Sequence, residues 1–592
     1  MRKHVLLAGV ATVALMLGAS GAMAQTMVTQ QTDNNSPVNN QTTVTAVTGI
    51  TTGGLTGAGA SAAIGATGAA SSVSVVGNAA TLQPGSQALT LPASGFGTIL
   101  QTTTNHGGGI VQNGVAASAG TTVDLGTLAT GAGSTASVSA TGALSAVSVT
   151  GIDTTPNTNT FAPPAFTSTV TQTSANNDTV TNTLGTVSNG AGLGIGASAS
   201  VSATGSAASF SESFNNGNTV STSTVTGLVT QGSTNVSAAT VLNDAGTIAV
   251  GDAMAQGSAA SVSATGSLAS VGFSDIGSTT VNSFKLTGGV DQGKTNPVTN
   301  AASVKNGTAT TANPAITVGG GIGQGASASV AATGVAAAVS ISGNGSGTFT
   351  VANIGPIDQG SAGTPVANTG LITNTNGEVL TVGIVGDGGS ASVSATGAEA
   401  SVSVTMDHVG TVMGGSVSAT TINQYVTNSV GTTGVSNTGA QITSTGAAVG
   451  DGGSLSIGST GSIAAIGLMQ NNSGQGTFTI GGGGITQSSA NTGVVTNSGT
   501  TTGAANLSGA GSSASISGTG AAASVSIASI DAGLTSLATP TIGNIGQTVV
   551  NNTASTVTNN GTITLGGMGG VGASASVSAT GAGAFVNLSA IR

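Results

Sequence analysis

Gly572-Ala573-Ser574-Ala575-Ser576-Val577-Ser578-Ala579-Thr580-Gly581 is the last of nine copies of one phrase in this chain. In each copy, small residues alternate up to a Thr-Gly pair, and the alternation then resumes. The pairs begin at Thr67, Thr141, Thr204, Thr265, Thr333, Thr396, Thr460, Thr519 and Thr580. Successive intervals run from 59 to 74 residues and average about 64. A period of this length predicts a stacked array whose units bury their faces on their neighbours.

The phrase has the period-two pattern of a β-strand. Ala575 and Val577 would face one side, and Ser576 and Ser578 the other. The same alternation follows the sixth Thr-Gly pair, over residues 401–406. This spacing differs from the 3.6-residue spacing of a helix. We expect the glycine of each pair to supply either a positive φ or a corner too crowded for a β-carbon.

Two further elements recur in the repeat. A glutamine follows an apolar position, and Gln30 or Gln31 begins the series that continues with Gln101, Gln172, Gln231, Gln292, Gln359, Gln424, Gln487 and Gln547. A Val/Thr/Asn tract then closes in an Asn/Gly turn, most clearly over residues 557–566. Related turns are predicted at Asn113-Gly114, Asn189-Gly190, Asn306-Gly307 and Asn376-Gly377. We expect Asn and Gln at equivalent positions to stack into ladders that share amide hydrogen bonds.

These patterns predict an all-β fold, namely an elongated parallel β-solenoid (β-helix). It would contain nine repeats of about 64 residues over residues 25–592. Coils would stack about 4.8 Å apart around a narrow interior of Ala, Val and Ile. With about three coils in each repeat, the rod would be on the order of 130 Å long.

The first 24 residues have the features of a secretory signal peptide. Residues 2–4 are basic, residues 5–17 are apolar, and residues 22–24 form an A-x-A site. Cleavage is expected before Gln25. An uncleaved membrane anchor is the alternative, but the apolar run is too short to span a bilayer. No later apolar run reaches spanning length, so no transmembrane segment is expected in the mature chain.

The mature chain is acidic and almost free of basic residues. Lys285, Lys294, Lys305 and Arg592 face 16 acidic residues, giving a formal charge of −12. Binding to nucleic acid or to an anionic membrane needs clustered Lys and Arg, so neither is expected. The chain has no cysteine, which excludes disulfides and thiolate metal sites.

Three aspartates raise the question of calcium. Asp252, Asp387 and Asp451 each follow a glycine just before the repeated strand. Calcium needs six to eight oxygen ligands, whereas an aspartate in a turn needs only nearby backbone N–H groups. We therefore interpret these residues as turn formers, although calcium dependence stays open. Residues 567–572 match G-x-G-x-x-G, but an alternating strand follows where a dinucleotide site requires a helix.

No catalytic, cofactor-binding or metal-binding residue is nominated, and we do not expect an enzyme. The mature chain has two histidines, His106 and His408, at non-equivalent places in different repeats. A nucleophile needs a base within hydrogen-bond reach and a third group that orients it. Hydroxyl rows could bind ordered water, ice or glycans, but the threonines at 102–104 and 500–502 form runs rather than alternations.

The run over residues 557–566, with its V-x-N-x-G-T-I core, resembles the strand repeats of bacterial secreted β-solenoids. Autotransporter passengers and filamentous-haemagglutinin-like adhesins are the comparison, and the resemblance implies a right-handed parallel β-helix at a bacterial surface. The regular Gln and Asn are more loosely similar to curli-type functional amyloids. An autotransporter barrel needs aromatic girdles. Tyr425 is the one tyrosine, ten phenylalanines are scattered, and the repeat continues to Arg592, so separate export machinery is expected.

The resulting hypothesis is a secreted structural protein of the bacterial surface, associated with the outer membrane, or of the extracellular matrix. Multivalent repeats would give it an adhesive or scaffolding role. Its partners would be surface glycans, other cells, or further copies that polymerise through an uncapped last coil. The alternatives are a fibre-forming functional amyloid of a biofilm matrix and an ice- or carbohydrate-binding solenoid.

Overall fold

A computed structural model gives the architecture. It describes residues 11–13, 26–39, 48–52, 55–57, 59–78, 96–114, 121–153, 168–216, 222–277, 282–308, 314–345, 349–381, 383–408, 416–430, 434–446, 448–471, 477–503, 506–530, 541–553 and 555–591. The described residues form strands and turns, and no α-helix occurs among them. The expected cleavage site and most of the predicted signal peptide lie outside these ranges.

The repeated phrase forms one long strand in each repeat. These strands pair in parallel into a ten-stranded sheet, the long-strand sheet. Its members are β1 (Ala11–Val13), β5 (Ser61–Asn78), β9 (Thr135–Asp153), β13 (Ser198–Asn216), β18 (Ala259–Gly277), β24 (Ser327–Gly345), β30 (Ser390–His408), β34 (Ser454–Asn471), β38 (Ser513–Ile530) and β43 (Ser574–Ile591).

The glutamine motif lies in a second sheet of 15 strands, the glutamine sheet. Its members are β2 (Thr26–Asn34), β6 (Phe96–Asn105), β10 (Val170–Asn176), β14 (Thr222–Val225), β15 (Val229–Asn235), β19 (Asn282–Leu286), β20 (Val290–Gln292), β21 (Val298–Asn300), β25 (Phe349–Ile354), β26 (Ile357–Gln359), β27 (Val366–Asn368), β31 (Ser416–Asn428), β35 (Thr477–Asn491), β39 (Thr541–Ile542) and β40 (Ile545–Asn551).

The Val/Thr/Asn tract forms a third sheet, also of 15 strands, the asparagine sheet. Its members are β3 (Val38–Asn39), β4 (Thr48–Thr51), β7 (Val111–Asn113), β8 (Thr121–Asp124), β11 (Val180–Thr183), β12 (Thr186–Asn189), β16 (Thr240–Asp244), β17 (Thr247–Val250), β22 (Ser303–Asn306), β23 (Ala315–Val318), β28 (Ile372–Thr375), β29 (Glu378–Thr381), β32 (Val435–Ser444), β36 (Val495–Gly503) and β41 (Val557–Thr564). A small sheet closes the coil with β33 (Ala448–Val449), β37 (Asn506–Leu507) and β42 (Gly567–Met568).

Each repeat forms a single wide coil. Ser200 pairs with Ser261 in the next coil, and Thr204 pairs with Thr265. In the described part of the chain, nine long strands from β5 to β43 therefore mark nine coils. The parallel β-solenoid is confirmed, but the guess of three coils in each repeat is wrong. At about 4.8 Å for each coil, the stack is roughly 40 Å long rather than 130 Å.

The coil is flattened into two layers, with several clusters of buried hydrophobic residues between them. The first half of the long strand packs on the asparagine sheet, as in the cluster of Ala203, Val241 and Val304. The second half packs on the glutamine sheet, where Phe210 and Val229 belong to one cluster. Small inward side chains let the two layers approach closely along the whole length of the strand.

The Thr-Gly pair lies inside the long strand, at the point where its inward face changes. In β13 the buried residues Val201 and Ala203 precede Gly205, whereas Ser206 and Phe210 are buried after it. None of the nine Thr-Gly glycines, all of which are described, has a positive φ. The positive φ is therefore wrong. The crowded corner is confirmed at all of these glycines except Gly581, because a built β-carbon would lie within 2.6 Å of another residue.

The predicted Asn/Gly turns are only partly confirmed. Gly114 and Gly307 have φ values of 85° and 82°, and Asn376 itself has a φ of 52°. Gly561, in the tract that gave the clearest turn prediction, instead lies within the strand β41. That prediction is wrong because Asn559 points into the stack and continues a ladder of asparagines.

Candidate functional site

Nine glutamines form a continuous ladder along the interior. In each step, Nε2 of a glutamine donates to Oε1 of the glutamine in the preceding coil, at 2.7–3.0 Å. The ladder consists of Gln30, Gln101, Gln172, Gln231, Gln292, Gln359, Gln424, Gln487 and Gln547. The predicted ladder is confirmed, and Gln30 rather than Gln31 begins it.

The glutamine carboxamides also join the two layers. Gln231 Nε2 donates to the Ser270 carbonyl at 2.9 Å, and Gln292 Nε2 donates to the Ala338 carbonyl at 3.0 Å. Ser270 and Ala338 are register partners in the opposite sheet, so the contact repeats from coil to coil. In a buried carboxamide, both the N–H donor and the carbonyl acceptor need hydrogen-bond partners. A shifted coil would leave these groups unpaired, so the ladder fixes the register of the stack.

A second ladder, of nine asparagines, has the opposite direction. In each step, Nδ2 donates to Oδ1 of the asparagine in the following coil, at 2.8–3.0 Å. Its members are Asn34, Asn105, Asn176, Asn235, Asn300, Asn368, Asn428, Asn491 and Asn551. These residues are not among the predicted positions of the repeat, although a Gln-x-x-x-Asn spacing in seven repeats is a signal for them.

A third ladder runs through the asparagine sheet. Asn182 donates to Asn243 at 3.0 Å, and near the other end Asn497 donates to Asn559 at 3.1 Å. Midway, Asn374 Nδ2 instead donates to the Ser394 carbonyl at 3.1 Å. Its buried Oδ1 has no hydrogen-bond partner among the described residues. This ladder is therefore less regular than the other two.

The outer surface of the long-strand sheet is a lattice of hydroxyl groups, which we call the outer hydroxyl face. It comprises the threonine of each Thr-Gly pair and the residues two, four and six positions before it. Of these 36 positions, 31 carry Ser or Thr and the others carry Ala or Gly. Strand geometry spaces the groups about 4.8 Å apart between coils and about 7 Å along a strand. The face is therefore uncharged and regular.

Two adjacent coils carry insertions that cover a polar cluster. The glutamine-to-asparagine spacing lengthens to eight residues from Gln292 and to nine from Gln359. Under these loops, Lys294 Nζ donates to Asp358 Oδ2 at 2.7 Å, and the Lys294 backbone N–H donates to Asp291 Oδ1 at 2.9 Å. The hydrogen bond from Lys294 to Asp358 is the largest of the interactions that raise the pKa of Lys294. We call these residues the insertion cluster.

The insertion cluster brings together residues from three different repeats. Asp291 and Asp358 are 4% and 8% exposed, and they are register partners. Asn423 Nδ2 donates to the other oxygen of Asp358 at 2.8 Å. Because hydrogen-bond donors occupy both carboxylates, the cluster anchors the two loops to the solenoid.

The three aspartates considered for calcium lie in exposed turns. Asp387 Oδ1 accepts the Asp451 N–H at 3.0 Å, and Asp451 Oδ1 accepts the Ala510 N–H at 2.7 Å. The carboxylates of Asp387 and Asp451 thus bind backbone of the next coil, which supports the turn interpretation for these two residues. Among the described residues, no group of three or more His, Cys, Asp or Glu could hold a metal ion.

The histidines and the glycine motif do not converge on a site. His106 is 44% exposed at its side chain and has Nε2 3.5 Å from Asp33 Oδ1. The backbone of His408 ends β30. The G-x-G-x-x-G segment runs from β42 through a turn, with Gly572 at a φ of 72°, into β43. A helix is needed for a dinucleotide site, and a strand stands in its place.

One small cavity lies in the core between the two layers. Its volume is about 10 Å³, and its lining is almost entirely apolar. A space of this size admits at most one water-sized sphere, and its walls offer no adequate set of polar partners. The lining residues are Ile341, Ile354, Ile357, Val402, Val404, Ala419, Ile422, Leu468, Thr479 and Ile480.

One carboxylate interrupts the outer surface of the long-strand sheet beyond the Thr-Gly pairs. Glu399 lies partly exposed between its register partners Ala336 and Ile463. Burial among these side chains raises the pKa of Glu399, and a hydrogen bond with Ser401 opposes the shift. Burial thus disfavours the charged form of Glu399.

Comparisons with known proteins identify no relative. No family model, no curated protein and no solved structure matches the chain. Within the described residues, no helix has both the length and the apolar character needed to cross a bilayer.

Proposed function

We propose that the protein is a secreted structural protein of a bacterial cell surface or extracellular matrix, with an adhesive or scaffolding role. The observation that carries the proposal is the continuous stack itself. Nine coils are joined by amide ladders, in which buried glutamines and asparagines bind one another and the backbone of the opposite layer. Such a molecule presents the same shallow surface many times, and repeated weak contacts then give avidity.

Secretion is supported by the signal-peptide features of residues 1–24. A Sec exporter would deliver the chain, and separate machinery would carry it across an outer membrane. The acidic, cysteine-free composition suits an extracellular rod that needs no disulfides. No residue is proposed to be catalytic, and no cofactor is assigned.

The direct test is to locate the protein on intact cells of the producing bacterium. A membrane-impermeant label and external protease should reach it, and deletion of its gene should weaken attachment or matrix cohesion without changing growth. Retention in the cytoplasm, or unchanged attachment and cohesion after deletion, would contradict the proposal.

A second candidate, carbohydrate or ice binding, is favoured by the outer hydroxyl face. Aligned hydroxyl groups can hydrogen-bond sugar hydroxyls or ordered water without any charge. Glycan-array and thermal-hysteresis measurements would test this role. Ser329→Lys should abolish binding because Ser329 lies in this face, whereas Thr299→Lys, on the outer side of the glutamine sheet, should retain it. Equal effects of the two changes would argue against this candidate.

A further inference from the structure

In the last coil that the structure describes, four strands each have one unpaired edge. Among the described residues, β40, β41, β42 and β43 pair only with the coil before them. Val577 and Val586 occupy inward positions there, yet both are 50% exposed. Their partners one coil earlier, Ile516 and Val525, are 0% and 1% exposed. This surface therefore has the pattern of an interior layer without its covering coil.

The first coil offers the matching edge. Its strands β2, β3 and β4 pair on one side only within the described structure. The long strand β5 meets β1 over three residues, Ser71 to Val73. The inward residue Ile64 of β5 is 7% exposed in the unprocessed chain. A contact along the long strand therefore requires removal of the segment expected to be cleaved, to which β1 belongs.

The directions of the ladders make the two edges complementary. Each glutamine after Gln30 donates to the preceding coil. Gln30 Nε2 of one copy would therefore donate to Gln547 Oε1 of another. In the second ladder, each of the eight asparagines before Asn551 donates to the following coil. Asn551 Nδ2 of one copy would therefore donate to Asn34 Oδ1 of another. Both ladders would continue in their existing directions only if the first coil of one copy stacks on the last coil of another.

Charge does not oppose this contact. Residues 541–591 contain no charged side chain, and Asp33 is the only one in the described residues of 26–78. The acidic residues of the chain lie mainly in the middle coils. Two copies therefore approach through nearly neutral ends, where burying apolar surface is favourable.

We propose that the mature protein assembles head to tail with other copies of itself, through a continuation of the glutamine and asparagine ladders. Val577 of one copy would lie against Ile64 of the next, because the two occupy the same row of the long-strand sheet. The inference deepens the proposed structural role and rests on it for its biological setting. Whether the protein is exported does not affect the contact itself.

The test uses the mature chain, residues 25–592, at increasing concentration in an analytical ultracentrifuge. Wild type should form a concentration-dependent series of oligomers. Val577→Lys should remain monomeric because the ammonium group would be buried in the contact. Ser576→Lys, one residue away on the outer face, should assemble as wild type does. A monomeric wild type, or assembly of Val577→Lys equal to that of wild type, would overturn the proposal.

The orientation is tested with single cysteines in this cysteine-free chain. Ala63 and Ser576 share one outer row, so Ala63→Cys in one copy should crosslink to Ser576→Cys in another through a short bismaleimide. Crosslinking of Ser576→Cys only with itself would show tail-to-tail contact and would overturn the head-to-tail arrangement. These measurements use purified protein, so their failure is distinct from a failure of surface location.

Discussion

A β-carbon on Gly266 would overlap the side-chain oxygen of Asn300, which lies across the core in the next coil. The equivalent glycines meet the equivalent asparagines of the second ladder through most of the stack, as Gly334 meets Asn368 and Gly397 meets Asn428. The glycine of the Thr-Gly pair therefore packs directly against an asparagine of the second ladder. The glycine leaves the space into which the carboxamide fits.

This contact predicts a specific loss of stability in the variant Gly266→Ala. The added methyl group has no room between Asn300 and the carbonyl of Gly334, so unfolding should become easier by at least about 2 kcal/mol. Chemical denaturation followed by circular dichroism measures the change. Gly272 lies in the same strand with nothing within 4 Å of a built β-carbon, and Gly272→Ala should stay within about 1 kcal/mol of wild type. Equal losses in the two variants would refute the steric explanation.

The glutamine ladder predicts a pH-dependent defect in the variant Gln292→Glu. The introduced carboxylate can accept from Gln359, but it would face the acceptors Gln231 Oε1 and Ala338 O without a proton to donate. At neutral pH the free energy of unfolding should fall by about 3–5 kcal/mol, as it does for an uncompensated buried charge. Burial raises the pKa of such a carboxyl, so stability should recover as pH falls through it.

The control for this variant is Gln256→Glu, in an exposed turn. It should change stability by no more than about 0.5 kcal/mol at either pH. Thermal melts of both variants at neutral and acidic pH make the comparison. A defect in Gln292→Glu that does not lessen in acid would contradict the role assigned to the ladder protons.

Glu399 predicts a smaller pH effect in the wild-type protein. Because burial raises its pKa in the folded state, the folded state holds this proton more tightly than the unfolded chain does. Its contribution is favourable below the ordinary glutamate pKa and is lost as pH rises through the raised value. Glu399→Gln should therefore stabilise the protein at neutral pH, by less than about 1 kcal/mol because the side chain remains partly in water.

The hydrogen bond to Glu399 provides a test in the opposite direction. Ser401 favours the charged carboxylate, so Ser401→Ala should deepen the loss of stability at neutral pH. Melting temperatures of both variants across the acidic to neutral range would show it. A Glu399→Gln variant with the same pH profile as wild type would refute this account of the site.

One coil for each repeat predicts that a whole repeat can be removed. Deletion of residues 205–265 joins Thr204 to Gly266, which follows the register partner of Thr204. Gln292 would then donate to Gln172, and the eight remaining coils should melt cooperatively at a slightly lower temperature, since neighbouring coils supply most of the stability. Deletion of residues 205–234 keeps part of a coil and should unfold or aggregate. Equal behaviour of the two deletions would contradict the coil assignment.

The fold class and the glutamine ladder could be predicted from sequence because both depend on local, repeated patterns. Period-two alternation specifies a strand, and a glutamine at a regular interval specifies a row. The size of the coil could not be predicted in this way, because alternation does not say where a strand turns. A 19-residue strand such as β18 continues through Thr265-Gly266 and changes its inward face without ending. An interval of about 64 residues therefore does not by itself indicate how many coils it forms.

Contacts between distant positions account for the other differences. The tract over residues 557–566 predicts an Asn/Gly turn, but stacking of Asn559 on Asn497 keeps this segment in a strand. Lys294 and Asp358 are 64 residues apart, and only the coil register brings them to 2.7 Å. A single sequence shows such pairs only after the length of the coil is known.

The most direct test of one coil for each repeat is a spin-label distance between Ser137→Cys and Ser515→Cys. These serines lie in the same outer row, six coils apart in the structure. Pulsed dipolar spectroscopy of the double variant, diluted with unlabelled protein, should give a distance near 29 Å, at about 4.8 Å for each coil. A distance near 86 Å, expected from three coils in each repeat, would contradict the account.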